Sequence, residues 1–312
     1  MKKMFIILTA MLLLLAACES NTGFDSTTPF IGGTQGLKIS FVDSFPPATV
    51  SDGGEDPFDI IVKVTNRGEA DVEPKDVLVT ISGFPASQFG RNVADLTSNS
   101  PELIERNLKN PDGSIVSSVP VEVEFNDFAY QNIVQGNQAF PVRADICYKY
   151  STQVSTSVCV KEDFRRDRTG DICTVSASRQ VFNSAAPIQI TRMTQSAAGS
   201  DRTRVSFTIE NRDQGRVFET GYSCASDARR NDRIFLRVSG FSSAQGEEVS
   251  CRGLREGANP SEGYIVLSDQ GVVDITCDIS FSERSPRIQP FNIELVYDYN
   301  ENIQKNVIVE RN

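Results

Sequence analysis

The chain of 312 residues contains no histidine and no tryptophan. Without histidine, Ser-His-Asp and Cys-His nucleophilic machinery is excluded, as is any metal centre built on imidazole. No Cys-x-x-Cys spacing occurs among the 7 cysteines, so they lack the pattern of a zinc site, and no metal or cofactor is expected. Missing tryptophan removes the usual stacking platform for sugars and the buried indole of antibody-type domains. After Leu15 no apolar run is long enough to span a bilayer. Cations are also scarce: 31 Lys and Arg stand against 41 Asp and Glu, a net charge of −10, which argues against nucleic acid or anionic lipid as a main partner.

Lys2 and Lys3 precede an apolar run from Met4 to Leu15, the layout of a signal peptide and too short for a membrane-spanning helix of about 20 residues. The following "LAAC" (15–18) resembles the lipobox of prokaryotic lipoproteins, in which the cysteine receives a diacylglyceryl group and becomes the first mature residue. The resemblance implies that residues 1–17 are removed and that Cys18 carries a two-chain anchor. Such an anchor holds stably, here on the outer side of a cell membrane, facing the extracellular or periplasmic space. The alternative is an ordinary signal peptide cut near Ala17, with Cys18 a stray thiol. Loss of Lys2 and Lys3 with no acid moves the net charge from −10 to −12. Residues 18–36, rich in Gly, Ser and Thr, read as a flexible tether reaching roughly 20–25 Å by random-coil scaling.

Beyond the tether the sequence reads as strands. Ile60, Val62 and Val64 alternate with Lys63 and Thr65, and Val121, Val123 and Phe125 alternate with Glu122 and Glu124, the period of two that marks a sheet with one buried face. An internal repeat organises the rest: "IIVKVTNRG" (60–68) returns as "VSFTIENRD" (205–213), "VLVTISGF" (77–84) as "FLRVSGF" (235–241), and "AFPVRADICYKY" (139–150) as "QPFNIELVYDY" (289–299). Spacings near 150 residues indicate duplication of a whole domain. The expected architecture is all-β: two tandem Ig-like β-sandwich domains of about seven strands, residues 37–162 and 172–312, joined by the charged linker 163–171.

The segment 37–72, with Pro-Pro before a Gly-rich turn and Asn-x-Gly after an apolar strand, resembles the CARDB-type adhesion-related modules of prokaryotic surface proteins. Together with "CYKYSTQVSTSVCV" (147–160) and "LVYDYNENIQKNVIV" (295–309) it also resembles a set of two-domain surface proteins of small-genome archaea. The resemblance implies an Ig-like fold and a place on the cell surface, and no catalytic residues.

Six cysteines remain after Cys18, an even number suited to disulfides in an oxidising compartment. Cys147 and Cys159 flank an expected hairpin tip near Gln153 and both point outward, so a Cys147–Cys159 bridge is expected, with Val296 and Ile308 as the apolar counterpart in the second repeat. Cys251 shares the phase of Val249, and Cys277 that of Val273, Ile275 and Ile279, which favours Cys251–Cys277. Cys173–Cys224 is left, although four cysteines allow three connectivities.

"GYSCA" (221–225) has the outline of a nucleophile elbow but neither an α/β setting nor a base. The acidic stretches "SDGGEDPFD" (51–59) and "DYNENIQ" (298–304) read as solvated turns, the second lacking the Gly and distal Glu of an EF-hand. A hydrolase would need two carboxylates facing across a cleft, whereas nearly all the acids occupy outward strand phases or turns. The expected role is therefore a non-enzymatic, membrane-anchored extracellular lipoprotein in adhesion, envelope scaffolding or capture of an extracellular protein or glycan. Alternatives are an accessory subunit of a surface assembly (filament, S-layer or secretion apparatus) working by β-strand pairing, or a carbohydrate-binding module. With the anchor at the N-terminus, the Tyr148/Tyr150 hairpin should face the membrane and the C-terminus should be distal. The loops 194–201, 240–248 and 282–290 then become contact candidates, with Ser243, Gln245, Arg284 and Arg287 at their tips.

Overall fold

The computed structural model describes residues 28–224, 227 and 229–312, so Cys18 and the signal segment lie outside the described residues. Strands dominate, with short 3-10 turns and no α-helix among the described residues. The first repeat supplies β1 (Leu37–Phe41), β2 (Thr49–Ser51), β3 (Phe58–Asn66), β4 (Val77–Ser82) and β5 (Thr97–Asn99). It continues with β6 (Leu108–Lys109), β7 (Ile115–Val116), β8 (Val121–Phe128) and β9 (Gln138–Val160). The second supplies β10 (Ala177–Ser178), β11 (Phe182–Asn183), β12 (Ile188–Ala197), β13 (Arg202–Asn211) and β14 (Arg216–Phe218). After these come β15 (Arg233–Ser239), β16 (Glu247–Arg252), β17 (Glu262–Val266), β18 (Val272–Phe281) and β19 (Arg287–Glu310).

The two longest strands decide the architecture. From Phe140 to Val160 every even-numbered side chain of β9 is buried, without a break in phase, and nothing between Val142 and Val160 is a Gly, Pro or Asn that would turn the chain. The backbone therefore runs straight through Gln153, about 70–75 Å over its 23 residues at the usual strand rise. β19 does the same, and the two pair antiparallel along their whole length, Arg287 opposite Val160 and Val309 opposite Gln138.

Each repeat forms a sandwich whose last strand comes from the other. β4 adds to the first half of β9, whose other edge is covered by the second half of β19, and β5 extends this sheet. β15 and β17 add in the same way to the first half of β19, beside the second half of β9. The result is one continuous sheet in the order β17-β15-β19-β9-β4-β5. A three-stranded sheet β1-β3-β8 and a five-stranded sheet β10-β12-β13-β18-β16 form the opposing layers. The short β2 joins the end of β19 in parallel, at Thr49–Ser51 against Ile308–Glu310. Buried residues of both repeats belong to one apolar core.

This geometry corrects several expectations drawn from the sequence. Cys147 and Cys159 cannot bridge, because 12 residues of one extended strand hold them about 40 Å apart, far beyond the Cα separation of about 7 Å that a disulfide tolerates. Cys147 bonds Cys224 instead, at a Cα separation of 5.8 Å, and Cys159 bonds Cys173 at 5.7 Å. The expected Cys173–Cys224 bridge fails for the same reason, since its two members lie at the two different stations along β9. The third bridge joins Cys251 and Cys277, directly opposed on β16 and β18. Val296 and Ile308 face Ser151 and Ala139 rather than one another.

The two repeats are not separate bodies on a loose linker. In the segment 163–171, Asp167 and Asp171 turn inward to pair with the enclosed Lys161 at 2.5 and 2.7 Å, and Phe164 is buried against Phe281. Nor is the described part of the tether, residues 28–36, free of the fold. Glu69 accepts the backbone N–H groups of Ile31 (2.9 Å), Gly32 (3.1 Å) and Ala185 (2.7 Å), which fixes the N-terminal segment against both repeats. It leads into β1 beside Tyr148, at the middle of the long ribbon. The C-terminus lies at the far end of the first repeat, where Asn312 N–H donates to Asp52 (3.0 Å). The expected polarity, with the C-terminus and the second repeat's loops sharing a distal end, is thereby replaced by a chain that enters at the waist and carries those two features at opposite ends.

Non-reducing peptide mapping should recover 147–224, 159–173 and 251–277 and no 147–159 peptide. By the chain-entropy model, Cys147→Ser with Cys224→Ser should cost about 4.5 kcal/mol of unfolding free energy, and the Cys159/Cys173 pair about 3, because the sequence separations are 77 and 14 residues. Urea unfolding of the two double variants checks the order.

Candidate functional site

The repeat symmetry converges on one place. Lys149 stands opposite Asp298 at the centre of the ribbon, and on either side of this pair Tyr148 faces Tyr299 and Tyr150 faces Tyr297. The two Tyr-x-Tyr motifs thus form a single cluster around a local two-fold axis, with ring centroids 5.6 Å apart for Tyr148 and Tyr150 and 5.9 Å for Tyr148 and Tyr299. All four rings are buried.

Their hydroxyls bind the same features twice. Tyr150 Oη donates to Asn66 Oδ1 (3.0 Å) and accepts from Ala70 N–H (3.3 Å), while Asn66 Nδ2 donates to the Ala70 carbonyl (2.7 Å). In the second repeat Tyr299 Oη donates to Asn211 Oδ1 (3.0 Å), accepts from Gly215 N–H (2.9 Å), and Asn211 Nδ2 donates to the Gly215 carbonyl (2.9 Å). Tyr148 and Tyr297 accept from the first residues of equivalent strands, Leu37 N–H at 3.1 Å and Ile188 N–H at 3.4 Å. The "NRG" and "NRD" motifs after β3 and β13 are the corners that receive these phenols. A Cβ at Gly68 would collide with Tyr150 Oη and the Ala185 carbonyl, which accounts for glycine there. Across the axis, Lys38 bonds Asp213 at 2.8 Å and Glu301 at 2.9 Å, tying β1 of the first repeat to the second.

Burial pushes the phenols of Tyr148, Tyr150, Tyr297 and Tyr299 well above the ordinary tyrosine range, so none can act as an acid or base near neutral pH. On the opposite face of the ribbon, burial raises the Asp298 carboxyl even though Thr220 and the N–H groups of Gly221 and Tyr222 donate to it. The Cys147–Cys224 bridge holds that loop down over Asp298. Asp298, Asn300 and Asn302 therefore sit inside a strand, opposite Lys149, Cys147 and Asp145, rather than in the solvated turn expected for "DYNENIQ". Among the described residues no three His, Cys, Asp or Glu side chains converge as a metal ion requires. The cluster's chemistry is cohesive: it orders backbone corners and carries no reactive group.

The expected contact loops do meet at one end of the second repeat, but their arginines are engaged within the fold. Arg284 donates to the carbonyls of Glu162 (2.8 Å) and Ser200 (3.2 Å), and Arg287 pairs with the buried Glu247 at 2.8 Å. Ser243 and Gln245 remain exposed on a short 3-10 turn closed by Gly246. The site that sequence reasoning missed is the tyrosine cluster, although both Tyr-x-Tyr motifs mark the duplication; symmetry about a shared axis was the signal that could have revealed it.

Two phenylalanine substitutions test the cluster. Tyr150→Phe leaves Ala70 N–H without its acceptor, and Tyr299→Phe does the same to Gly215, so each should lower unfolding free energy by about 1–3 kcal/mol in a denaturant titration. The pH response has a definite sign. The four phenols have raised pKa values in the folded chain, so unfolded tyrosines release protons first: below about pH 10 the phenols leave stability unchanged. Above that it falls by about 1.4 kcal/mol per pH unit for each phenol still protonated in the fold. Thermal melts between pH 8 and 11.5 read this slope.

No protein-family model matches the chain, and no curated protein does either. Among solved structures, the envelope protein VP37 from White Spot Syndrome Virus aligns at 11% identity with a TM-score of 0.24, covering 49% of this chain and 98% of that one. A triple jelly roll protein of an archaeal virus turret aligns at 7% identity with a TM-score of 0.13, covering 90% and 92% of the two chains. Superpositions this loose carry no argument about function.

Proposed function

We propose that this protein is a non-enzymatic, lipid-anchored surface protein that acts as a rigid scaffold or capture module outside the membrane. The observation that carries this reading is the paired β9 and β19, which lock both repeats into one body while the N-terminal segment leaves from its middle. A lipid on Cys18 would hold such a body at the waist and leave both ends free for partners. Three disulfides support an oxidising compartment. The resemblance to CARDB-type modules points the same way.

A second reading, an accessory subunit of a surface assembly that pairs through a strand edge, is favoured by β8, which among the described residues ends its sheet without a further strand.

Cys18→Ser should move the protein from the membrane to the soluble fraction of fractionated cells, with its unfolding curve and three bridges unchanged. A membrane-bound Cys18→Ser variant would sink the anchor. Crosslinking on intact cells, read by mass spectrometry, should recover an envelope protein or glycan. Crosslinks to cytosolic components alone would overturn the surface reading.

A further inference from the structure

We propose that the open edge of β8 receives an extended segment of a partner protein in which aliphatic residues alternate with Lys or Arg. This rests on the strand-pairing reading above and specifies its chemistry.

The second repeat shows what an occupied edge looks like. There β16 adds to β18, from Glu247 opposite Phe281 to Arg252 opposite Thr276. A disulfide joins the two strands at Cys251 and Cys277, and Arg252 pairs with Asp278 on the outward face at 2.9 Å. The duplication places β8 in the position of β18: Val62 of β3 faces Val123, and its counterpart Phe207 of β13 faces Ile275. By the same alignment Phe125 stands where Cys277 does. Among the described residues, no strand of the first repeat corresponds to β16.

Only part of the β8 edge is closed from within. The N–H groups of Ala129 and Gln131 donate to the carbonyls of Phe89 and Gln88, and Arg91 reaches the Asn126 carbonyl. Pro120 has no N–H to offer, so the open stretch is Val121 to Phe125, for which no backbone bond beyond β3 is made among the described residues. A hollow beside it is floored by Leu103, Val119 and Val121 and rimmed by Glu102 and Glu105. Val119 is 73% exposed and Leu103 39%. Glu122 and Glu124 add two exposed carboxylates on the outward face of β8, with Lys63 of β3 opposite Glu122 as a compensating cation. An added strand would set its aliphatic side chains over the hollow and its alternate side chains among these carboxylates, as Arg252 is set beside Asp278. Outward acids on an edge also repel an identical edge, so a second copy of this chain is disfavoured there and a basic strand is selected.

The probe is a nine-residue peptide alternating Lys and Val, titrated into the purified full-length protein. Its binding should weaken as salt is raised, slow amide exchange over residues 121–125, and fall by at least about tenfold (about 1.4 kcal/mol) in Glu122→Lys/Glu124→Lys. The same peptide N-methylated at alternate residues, in either phase, should not bind, and neither should its Glu-Val counterpart. The proposal is overturned by equal binding of the N-methylated or Glu-Val peptide, by exchange protection at β16 or β10 instead, or by no binding of the Lys-Val peptide at millimolar concentration. Because crosslinking on cells does not use this probe, loss of an envelope partner there would remove the assembly role while leaving the edge chemistry standing.

Discussion

The pairing of β9 with β19 is the interaction on which the rest of the molecule depends. A sandwich of this type needs a strand beside the first half of β9, and the chain supplies it from the end of the other repeat rather than by turning back at Gln153. Neither repeat is complete alone, so each would expose an unpaired edge and part of an apolar layer if the other were removed. What would be an intermolecular strand exchange in a domain-swapped dimer occurs here within one covalent chain. The arrangement also needs no interdomain interface of the ordinary, loosely packed kind, because backbone hydrogen bonds run unbroken from β17 to β5.

The local two-fold axis explains the tyrosines. At the crossing of two long strands, four large side chains must fill the space between the layers, and each opposing sheet begins there with unpaired backbone groups. Tyrosine meets both demands, since its ring packs and its hydroxyl reaches the corner. Asn66 and Asn211 complete the corners by bonding both the phenol and a backbone carbonyl. A buried hydroxyl with satisfied partners stabilises only modestly, whereas removing it leaves a donor stranded, so the cluster specifies the crossing more than it adds to net stability.

Much of the β architecture was legible because it rests on local pattern. Alternation located β3, β8, β13 and β18, and the three repeated segments revealed the duplication. The ribbon was not legible in the same way. A hairpin with an odd-length tip at Gln153 and a strand running straight on both bury the same parity of residues, so alternation alone does not separate them. The missing turn residues did favour the straight strand. Once the hairpin is assumed, Cys147–Cys159 follows and forces Cys173–Cys224; both fall together. Cys251–Cys277 is different because its partners sit on neighbouring strands whose phases are set locally. The connector misled for another reason: its charges suggest a solvated linker, yet Asp167 and Asp171 turn toward Lys161, a long-range choice that composition does not encode.

The duplication has not stayed symmetric, and the departures are where binding can be sought. The centre is conserved between the repeats down to individual hydrogen bonds, because any change there would misalign both halves at once. The rims are free of that constraint. The second repeat closes its β18 edge with β16 and a disulfide, and engages Arg284 and Arg287 in holding the adjoining loops. The first repeat has a buried Phe125 with no bridge at the equivalent position, an open edge beside Leu103 and Val119, and the carboxylates of Glu122 and Glu124 where the second has Asp274 and Thr276. One half of the molecule has thus satisfied its edge internally, while the other leaves the complementary backbone and charge to be supplied by a partner.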